Sequence, residues 1–375
     1  MEAATTHRHW GYLGCCGAVL ALSGCPQLLG DEFLIRPPDA GSSAGAGTAG
    51  QGGLASAGAA DGGERDQPDA TAGAVGDSGA ADVREATCND GLRNQDEAGV
   101  DCGGSACSPC NCQFGPFHDL VQVEGLGTDD RFGPMLSADG SWLYYSVKSS
   151  SAVEDIFRAT RSDTGSVFTN AEALADINGS SLEGSPFLSR DQRTLLFFSD
   201  RSGGLGNRDL WMAARARASL PFSAPQLIAG VNSTAMDVLP RLSYDGLTLL
   251  FESTRSGGSG SSDIWAAERP TSTGLFGSPY PREDLNTSSR EEGFSLSGDQ
   301  LTIVLSSNRG VSSMDLWMAT RSDPRADFGP LVPLAELNGS EDEIDPGLSL
   351  NGREIFFTTM RDGDYRIYHA VRDCQ

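Results

Sequence analysis

The stretch FFSDRSGG (residues 197–204), followed by DLW (209–211), decides the fold because it returns almost unchanged further along the chain. The next copy is FESTRSGG (251–258) with DIW (263–265), and the one after is LSSNRG (305–310) with DLW (315–317). Two weaker copies flank these three. A unit that recurs at a fixed distance indicates a repeat architecture, in which every copy forms one supersecondary unit.

Each copy also contains a Leu-Ser-x-Asp turn, with Asn351 in place of the aspartate in the last copy. The turn serines lie 52, 54, 54 and 52 residues apart and are Ser137, Ser189, Ser243, Ser297 and Ser349. Five copies therefore fill the chain after Cys112.

The pattern inside a copy is that of strands. In the second copy a short inner strand (186–188) and the turn (189–192) precede β-branched and aromatic residues at two-residue spacing (194–199). A Gly/Ser loop then leads to a third strand (209–215) and a fourth (222–231). Four antiparallel strands per repeat make a propeller blade, whereas helical solenoids need apolar residues at a period of 3.6. We predict an all-β protein, a five-bladed β-propeller of four-stranded antiparallel blades over residues 113–375, preceded by a small disulfide-rich module.

The beginning of the chain has the pattern of a lipoprotein signal peptide over residues 1–24. A weakly basic start precedes an apolar run too short to span a bilayer, and the run ends in Leu-Ser-Gly before Cys25. This ending resembles a lipobox, which implies that Cys25 carries the lipid; the alternative is a signal peptide cut elsewhere. We expect a membrane anchor and no membrane span. The absence of aspartate after Cys25 favours the outer membrane, on its periplasmic face or at the cell surface.

Residues 25–87 have the composition of a tether. They are rich in Gly, Ala, Ser and Asp, so they cannot bury enough apolar surface to fold, and ten acidic against three basic residues at 26–87 extend them by self-repulsion. The whole chain has a formal charge of −24, which argues against nucleic acid as a partner because phosphate binding needs clustered Lys and Arg. Anionic lipid would also repel this surface, so the lipid alone should hold the protein at a membrane.

Residues 88–112 form a cysteine-rich module. Outside the signal peptide and the anchor, an even number of cysteines remains, as disulfides in an oxidising compartment require: Cys88, Cys102, Cys107, Cys110, Cys112 and Cys374. Four carboxylates and one amide of the module offer oxygen ligands to Ca²⁺, although their spacing does not match an EF-hand loop: Asp90, Asn94, Asp96, Glu97 and Asp101. Calcium is the one cofactor to consider, and we expect none elsewhere.

Three charged positions recur in phase along the repeats. A carboxylate stands six residues before the turn serine in four copies: Glu183, Asp237, Glu291 and Glu343. An arginine stands twelve residues after it, again in four copies: Arg201, Arg255, Arg309 and Arg361. An aspartate opens the third strand of four copies: Asp155, Asp209, Asp263 and Asp315. The exceptions are Arg131 at the first position, Ser149 at the second and Arg366 at the third.

These three positions should meet at one rim of the propeller, because they lie at the same end of an antiparallel blade. One interpretation is an acidic ring at the channel mouth that binds a cation or a basic peptide. The other, which we favour, is a network that ties loops together through charge-assisted hydrogen bonds, since residues repeated in every blade generally serve the architecture.

The motifs Pro-x-Leu-Ser-x-Asp-Gly, Phe-x-Ser-x-Arg-x-Gly-Gly and Asp-Ile/Leu-Trp resemble the WD-like propeller repeats of the TolB type over residues 114–372. The resemblance implies a periplasmic or cell-surface propeller that binds other proteins. The chain departs from TolB in having five copies where six are usual, in lacking its N-terminal α/β domain, and in having Gln192 and Gln300 where Asp-Gly turns have glycine. The top loops 149–154, 202–208 and 256–262 are where a ligand would be expected.

We therefore expect a binding or scaffolding module of the cell envelope, with a protein or a glycan as partner, and not an enzyme. The propeller repeats contain only His118 and His369, and no nucleophile elbow or phosphate loop occurs. The enzymatic alternative is a glycoside hydrolase with two carboxylates in the central funnel. Such catalytic acids should break the repeat, and Asp129, Asp130 and Glu292 do so.

Counting strands predicts how the ring closes. Residues 114–124 read as a fourth strand with no blade before it, while the last copy lacks a fourth strand, so the two should complete each other. The hairpin that joins strands three and four elsewhere would be replaced by a disulfide between Cys112 and Cys374. This register places His118 opposite Tyr368. The other four cysteines would then pair among themselves in one of three ways.

Overall fold

The structure is a computed structural model, which describes residues 113–149 and 153–374 of the chain. These residues form strands that assemble into five separate four-stranded antiparallel sheets. The predicted all-β, five-bladed propeller is confirmed. No helix that could cross a membrane occurs among the residues described.

Blade 1 consists of β2 (Asp130–Leu136), β3 (Trp142–Lys148), β4 (Glu154–Thr160) and β5 (Thr169–Ala173). Blade 2 consists of β6 (Glu183–Leu188), β7 (Thr194–Ser199), β8 (Asp209–Ala214) and β9 (Gln226–Leu227). Blade 3 consists of β10 (Asp237–Leu242), β11 (Thr248–Ser253), β12 (Asp263–Glu268) and β13 (Tyr280–Pro281). Blade 4 consists of β14 (Glu291–Leu296), β15 (Thr302–Ser307), β16 (Asp315–Thr320) and β17 (Val332–Pro333). Blade 5 consists of β18 (Glu343–Leu348), β19 (Glu354–Thr359), β20 (Arg366–Val371) and the N-terminal β1 (His118–Gln122).

The core lies between neighbouring blades, where apolar faces of adjacent sheets meet. Between blades 1 and 2, Tyr144 and Ile156 of one sheet pack with Leu195, Phe197 and Trp211 of the next. The alternation of apolar residues along the second and third strands supplies these faces, because successive side chains of a strand point to opposite sides. The tryptophans of the Asp-Leu-Trp motif are thus packing residues.

The Leu-Ser-x-Asp turns end each innermost strand and are held by their own side chains. In blade 2 the Ser189 hydroxyl donates to the Asp191 carboxylate (2.6 Å) and accepts from the amide of Thr194 (2.8 Å). Gln192 and Gln300 adopt φ of 57° and 61°, a conformation that the other turns reach with glycine. A serine-aspartate pair therefore fixes the turn even where the sequence lacks glycine.

The outermost strands of blades 2, 3 and 4 are shorter than the sequence predicts, with two residues each. Proline has no amide to donate to a ladder, so Pro225, Pro279 and Pro330 confine the pairing to short segments. Blade 1 has no proline there, and its β5 extends over five residues. Proline at an exposed edge also discourages pairing with other chains.

β1 is the outermost strand of blade 5 and pairs antiparallel with β20, so the two ends of the propeller share one sheet. Phe114 pairs with Cys374, but Tyr368 lies opposite Gln122. The register predicted for His118 is therefore wrong: it faces Val371. The offset is present before the irregularity that follows His118, because Phe114 already pairs with Cys374, whereas the prediction set Phe114 opposite Arg372.

Candidate functional site

The repeated carboxylates and arginines of the rim bind each other directly within each blade. In blade 2 the Glu183 carboxylate accepts from the Ser199 hydroxyl and from the Arg201 guanidinium, both at 2.9 Å, and from the amide of Gly179. Arg201 also donates to the carbonyl of Ile177 (2.9 Å). The pair thereby fixes the connection from the previous blade against the second strand.

The same ion pair forms in blades 3, 4 and 5, at distances of 2.5, 3.0 and 2.9 Å. The carboxylates are fully buried: Glu183, Asp237, Glu291 and Glu343. A fully buried carboxylate with an arginine on it is not open to a ligand at the channel mouth. The geometry is that of a loop-tying network.

Blade 1 maintains this network with a different residue. Arg131 stands where the other blades have a carboxylate, and its guanidinium donates to the carbonyl of Leu126 with two nitrogens (3.0 and 2.6 Å). Arg201 makes the corresponding bond to Ile177 in blade 2. One buried arginine thus replaces the ion pair.

Among the described residues, the aspartates that open the third strands form no ion pair with the rim arginines; two of them bind loop amides, and Asp315 accepts from the Ser313 hydroxyl (3.2 Å). Asp209 accepts from the amides of Leu205 and Gly206 (2.9 and 3.0 Å), and Asp263 binds its own loop in the same way. Burial is the main cause that raises the pKa of Asp155, and nearby Glu183 adds to it. In blade 5, Arg366 instead donates to the carbonyls of residues 128 and 129 and so links the last blade to the first.

The innermost strands all carry a β-bulge at the same level of the channel. Each bulge has a residue with positive φ, and these residues form a ring: Gly133, Ser185, Leu239, Gly293 and Asp345. The ring is tight, because a side chain on Gly293 would come within 2.9 Å of the Asp345 carboxylate. The bulges turn backbone amides of one blade toward side chains of its neighbour.

Four carboxylates gather at this level and form what we call the channel cluster: Glu154, Glu252, Glu292 and Asp345. All four break the repeat, because the corresponding positions in other blades are mostly small or apolar. Glu252 corresponds to Ser146, Phe198, Ser306 and Thr358 at the end of the second strand. Of the four, sequence analysis singled out only Glu292.

Contacts place the channel cluster against the bulges. The Asp345 carboxylate accepts from the amide of Gly133 (3.2 Å), and Glu252 accepts from the Ser262 hydroxyl (2.6 Å) and the amide of Gly293 (3.4 Å). Glu154 lies over Gly184, where a side chain would find no room. Glu292 pairs with Arg290 and retains partial exposure. Four blades thus contribute to one acidic site.

The pKa values of all four carboxyls are raised, and desolvation by the surrounding protein is the largest cause in each. The pKa of Glu154 rises to about 7 and that of Asp345 to about 6. The pKa of Glu252 lies well above its usual value, with the charges of Glu292 and Asp345 adding to the effect of burial. Asp345 is surrounded by protein yet partly accessible to solvent, as a side chain in a narrow channel should be.

Two hydroxyls beside the channel cluster have no hydrogen-bond partner among the described residues. They are Ser306 Oγ and Thr358 Oγ1, both fully buried. Their register positions match that of Ser146, whose hydroxyl accepts from the bulge amide of Ser185 (2.9 Å). Ser306 lies opposite Glu292 in the ladder, and Thr358 lies opposite Ile344, the residue before Asp345, so both hydroxyls border the channel cluster.

The other candidate acids lie elsewhere. Asp130 accepts from the amide of Tyr365 (3.2 Å) and lies 3.9 Å from Arg366, while the carbonyl of Asp129 accepts from Arg366. Both therefore hold the seam between the last and first blades. All three predicted loops contribute to the channel cluster at their last residue: Glu154 belongs to the cluster, the charge of Arg208 acts on Glu154, and Ser262 donates to Glu252.

The remaining predicted positions lie outside the described residues: Cys25, Cys88, Asp90, Asn94, Asp96, Glu97, Asp101, Cys102, Cys107, Cys110 and Cys112. Anchoring, calcium binding and the disulfide pairing remain predictions. Within residues 113–149 and 153–374, no group of three or more His, Cys, Asp or Glu side chains could hold a metal ion. His118 contacts Asp119 and Asp373, whereas His369 contacts Glu354.

Comparison with known proteins finds several solved structures to which this chain is similar. TolB from Acinetobacter baumannii is similar to this chain with 17% identity and a TM-score of 0.41; the match covers 65% of this chain and 55% of TolB. The catalytic domain of a GH62 α-L-arabinofuranosidase from Coprinopsis cinerea is similar with 9% identity and a TM-score of 0.44, over 70% and 97% of the two chains. An α-L-arabinofuranosidase from Lactobacillus brevis is similar with 13% identity and a TM-score of 0.43; the match covers 67% of this chain and 94% of the arabinofuranosidase.

The five four-stranded sheets make this chain a β-propeller, and its repeat motifs resemble those of the TolB type. It spans about half the length of the Acinetobacter TolB. No family model and no curated protein sequence matches it. At these identities the likeness concerns the fold alone, and function has to be argued from the site.

Proposed function

We propose that this protein is a binding module of the cell envelope, and not an enzyme, whose ligand site is the channel cluster. The observation that carries the proposal is the convergence of four carboxylates that break the repeat, beside two buried hydroxyls that find no partner in the part of the chain that the structure describes. Repeated residues serve the architecture, whereas residues that depart from the repeat and converge in the channel are available for a ligand. Perturbed carboxyl groups in a concave site are typical of functional sites.

The chemistry of the channel cluster favours a cationic ligand. Burial disfavours the ionised form of these carboxylates, and a cation among them would stabilise that form. A lysine or arginine side chain of a partner protein fits a narrow channel lined by innermost strands. We propose a protein partner that inserts such a side chain.

The location follows from the sequence and belongs to the same proposal. The lipobox at Cys25, the acidic tether and the TolB-type repeat all favour a lipid-anchored, extracytoplasmic protein. The tether would hold the propeller clear of the membrane surface, where large partners can reach the channel.

The test is crosslinking in cells with a matched pair of variants. The double variant Glu292→Gln, Asp345→Asn removes two charges from the channel, and Glu172→Gln, on the outermost strand of blade 1, removes a charge far from it. We expect the partner captured by the wild type to be captured by Glu172→Gln and lost, or reduced at least tenfold, in the channel variant. Equal capture by both variants would contradict the site.

A second candidate function is glycoside hydrolysis, and the pKa of Glu154 favours it. A carboxyl group with a pKa of about 7 keeps its proton near neutral pH, as a general acid must, and other carboxylates stand nearby. Incubation with mixed plant and bacterial polysaccharides, followed by measurement of the released sugars, would distinguish the hydrolase from the binding module. Product release that disappears in Glu154→Gln and in Asp345→Asn would establish the enzyme, and its absence would favour the binding module.

A further inference from the structure

The opposite end of the channel from the rim contains a large cavity. Its volume is about 1340 Å³, above the 300–1000 Å³ usual for small-molecule sites. The Leu-Ser-x-Asp turns surround it, so we call this opening the turn end. The top loops expected to bind a ligand lie at the other opening.

The cavity is positively charged in a strongly acidic protein. Five arginines line it: Arg190, Arg193, Arg217, Arg241 and Arg269. Three aspartates also line it, and each accepts a hydrogen bond at 2.6 Å from the serine of its own turn: Asp139, Asp191 and Asp245. The aspartates are therefore part of the turns. A positively charged lining contrasts with the chain as a whole, which carries a charge of −24. Five arginines against three aspartates give the described lining a net positive charge, which would attract an anion.

Arg241 forms the floor of the cavity. It is the one charged residue at its level of the innermost strands, where the other blades have Met135, Phe187, Ser295 and Gly347. Its Nε donates to the carbonyl of Phe294 (3.1 Å) and its Nη1 to that of Pro240 (3.0 Å). The side chain is 2% exposed, and Nη2 has no hydrogen-bond partner in the described residues.

The charge of this guanidinium is not neutralised by a direct ion pair. Burial lowers the pKa of Arg241 to about 10, so the group stays protonated at neutral pH. Asp345 is the carboxylate whose charge it feels, but the Asp345 side chain accepts a hydrogen bond from Gly133. A buried guanidinium with an unused donor is costly, and an oxyanion bound to it would remove that cost.

We propose that the turn end is a second binding site, which takes a ligand carrying a carboxylate, phosphate or sulfate group, with that group on Arg241. The proposal does not rest on the function proposed for the channel cluster, although Arg241 acts electrostatically on Asp345 of that cluster. The Arg190 guanidinium stacks over the half-exposed Tyr244 ring (4.2 Å to the centroid) at the opening. The stacked pair adds a flat surface for the rest of the ligand.

The test is a calorimetric titration of the purified chain with citrate, inorganic phosphate and sulfate, at constant ionic strength set with chloride. At least one probe should bind in the millimolar range or tighter. Arg241→Met should weaken that binding by about 10- to 100-fold, the loss expected for one charged hydrogen-bonded pair. Methionine is the residue of blade 1 at this level, so the variant should fold, with a thermal midpoint no lower than that of the wild type.

The control is Arg325→Gln, which removes an arginine outside the cavity and should leave binding unchanged. Should Arg241→Met fail to fold, Arg217→Gln at the opening provides a second measurement, with a two- to tenfold loss expected. Which probe binds best distinguishes a carboxylate from a phosphate or sulfate ligand. The proposal is overturned if the wild type binds none of the three, or if Arg241→Met binds them as tightly as the wild type.

Discussion

Two glutamines show that the turns of the repeat tolerate a residue other than glycine. Gln192 and Gln300 hold a left-handed conformation at the turn end that Gly140, Gly246 and Gly352 adopt in the other blades. A residue with a Cβ pays about 1 kcal/mol or more for this conformation, whereas glycine does not. The hydrogen bonds of each turn serine hold the glutamine there.

Replacing Gln192 with glycine should therefore stabilise the protein by about 0.5 to 1 kcal/mol, after allowance for the greater chain entropy of glycine when unfolded. Gly246→Ala, at the matching turn of blade 3, should destabilise it by a similar amount. Urea denaturation of both variants measures the difference. A loss of stability in Gln192→Gly would show that the glutamine side chain contributes more than the backbone conformation costs.

Protonation of the channel cluster should make stability depend on pH. The pKa values of Glu154 and Asp345 are raised to about 7 and about 6, so the folded state holds protons that the unfolded state releases above about pH 4.5. Their contribution is complete below pH 4.5 and is lost as the pH rises through 6 and 7.

We expect the free energy of unfolding to fall by roughly 1 to 3 kcal/mol from pH 5 to pH 8, and Glu154→Gln to remove part of that slope. Denaturation at several pH values measures both. A slope unchanged in Glu154→Gln and in Asp345→Asn would mean that neither carboxyl titrates in this range.

At the scale of elements, one buried ion pair joins the first and last blades. Arg161, after β4, donates two hydrogen bonds to the Glu354 carboxylate at the start of β19 (2.9 and 2.7 Å), and His369 lies 3.0 Å from the same group. Hydrogen bonds from His369 and Arg161 outweigh burial and lower the pKa of Glu354 to about 2. The equivalent positions of blades 2, 3 and 4 have threonine.

Glu354→Gln should destabilise the protein by about 3 to 5 kcal/mol, because it leaves Arg161 buried without its counter-charge. The exposed pair of Arg158 and Glu172 is the control, and Glu172→Gln should cost less than about 1 kcal/mol. In the wild type this contribution is present above pH 4.5 and is lost as the pH falls toward 2. Equal losses in the two variants would show that the seam does not depend on this pair.

At the scale of the whole molecule, the ring closes by combining its two ends in one sheet. The pairing of Phe114 with Cys374 brings position 374 close to the segment that begins at Cys112 in the sequence. A disulfide between Cys112 and Cys374 would close a loop of about 260 residues and contribute roughly 5 kcal/mol in the chain-entropy view.

Cys374→Ser should accordingly lower the thermal midpoint by several degrees, and a reducing agent should do the same to the wild type. Non-reducing peptide mapping identifies the partner directly. A fragment that links Cys374 to Cys88, Cys102, Cys107 or Cys110 would contradict the pairing.

The fold could be predicted from the sequence because its pattern repeats. The channel cluster could not be predicted, because its residues do not follow the repeat. Five copies of one pattern gave the strand order of each blade, while the prolines near β9, β13 and β17 shortened strands that a pattern of apolar residues alone extends. Glu154, Glu252 and Asp345 occupy three different positions of the repeat, in three blades. Only the closed ring brings them together, so no spacing along the sequence could reveal the site.

The sharing of blade 5 between both termini has a consequence for the order of events during synthesis. β1 is made first, but its partner β20 follows about 250 residues later. Chains fold as they emerge, so four blades can form while β1 waits with an open edge. The earliest strand of the propeller is then the last to pair, and until that moment it must be kept from binding other extended chains.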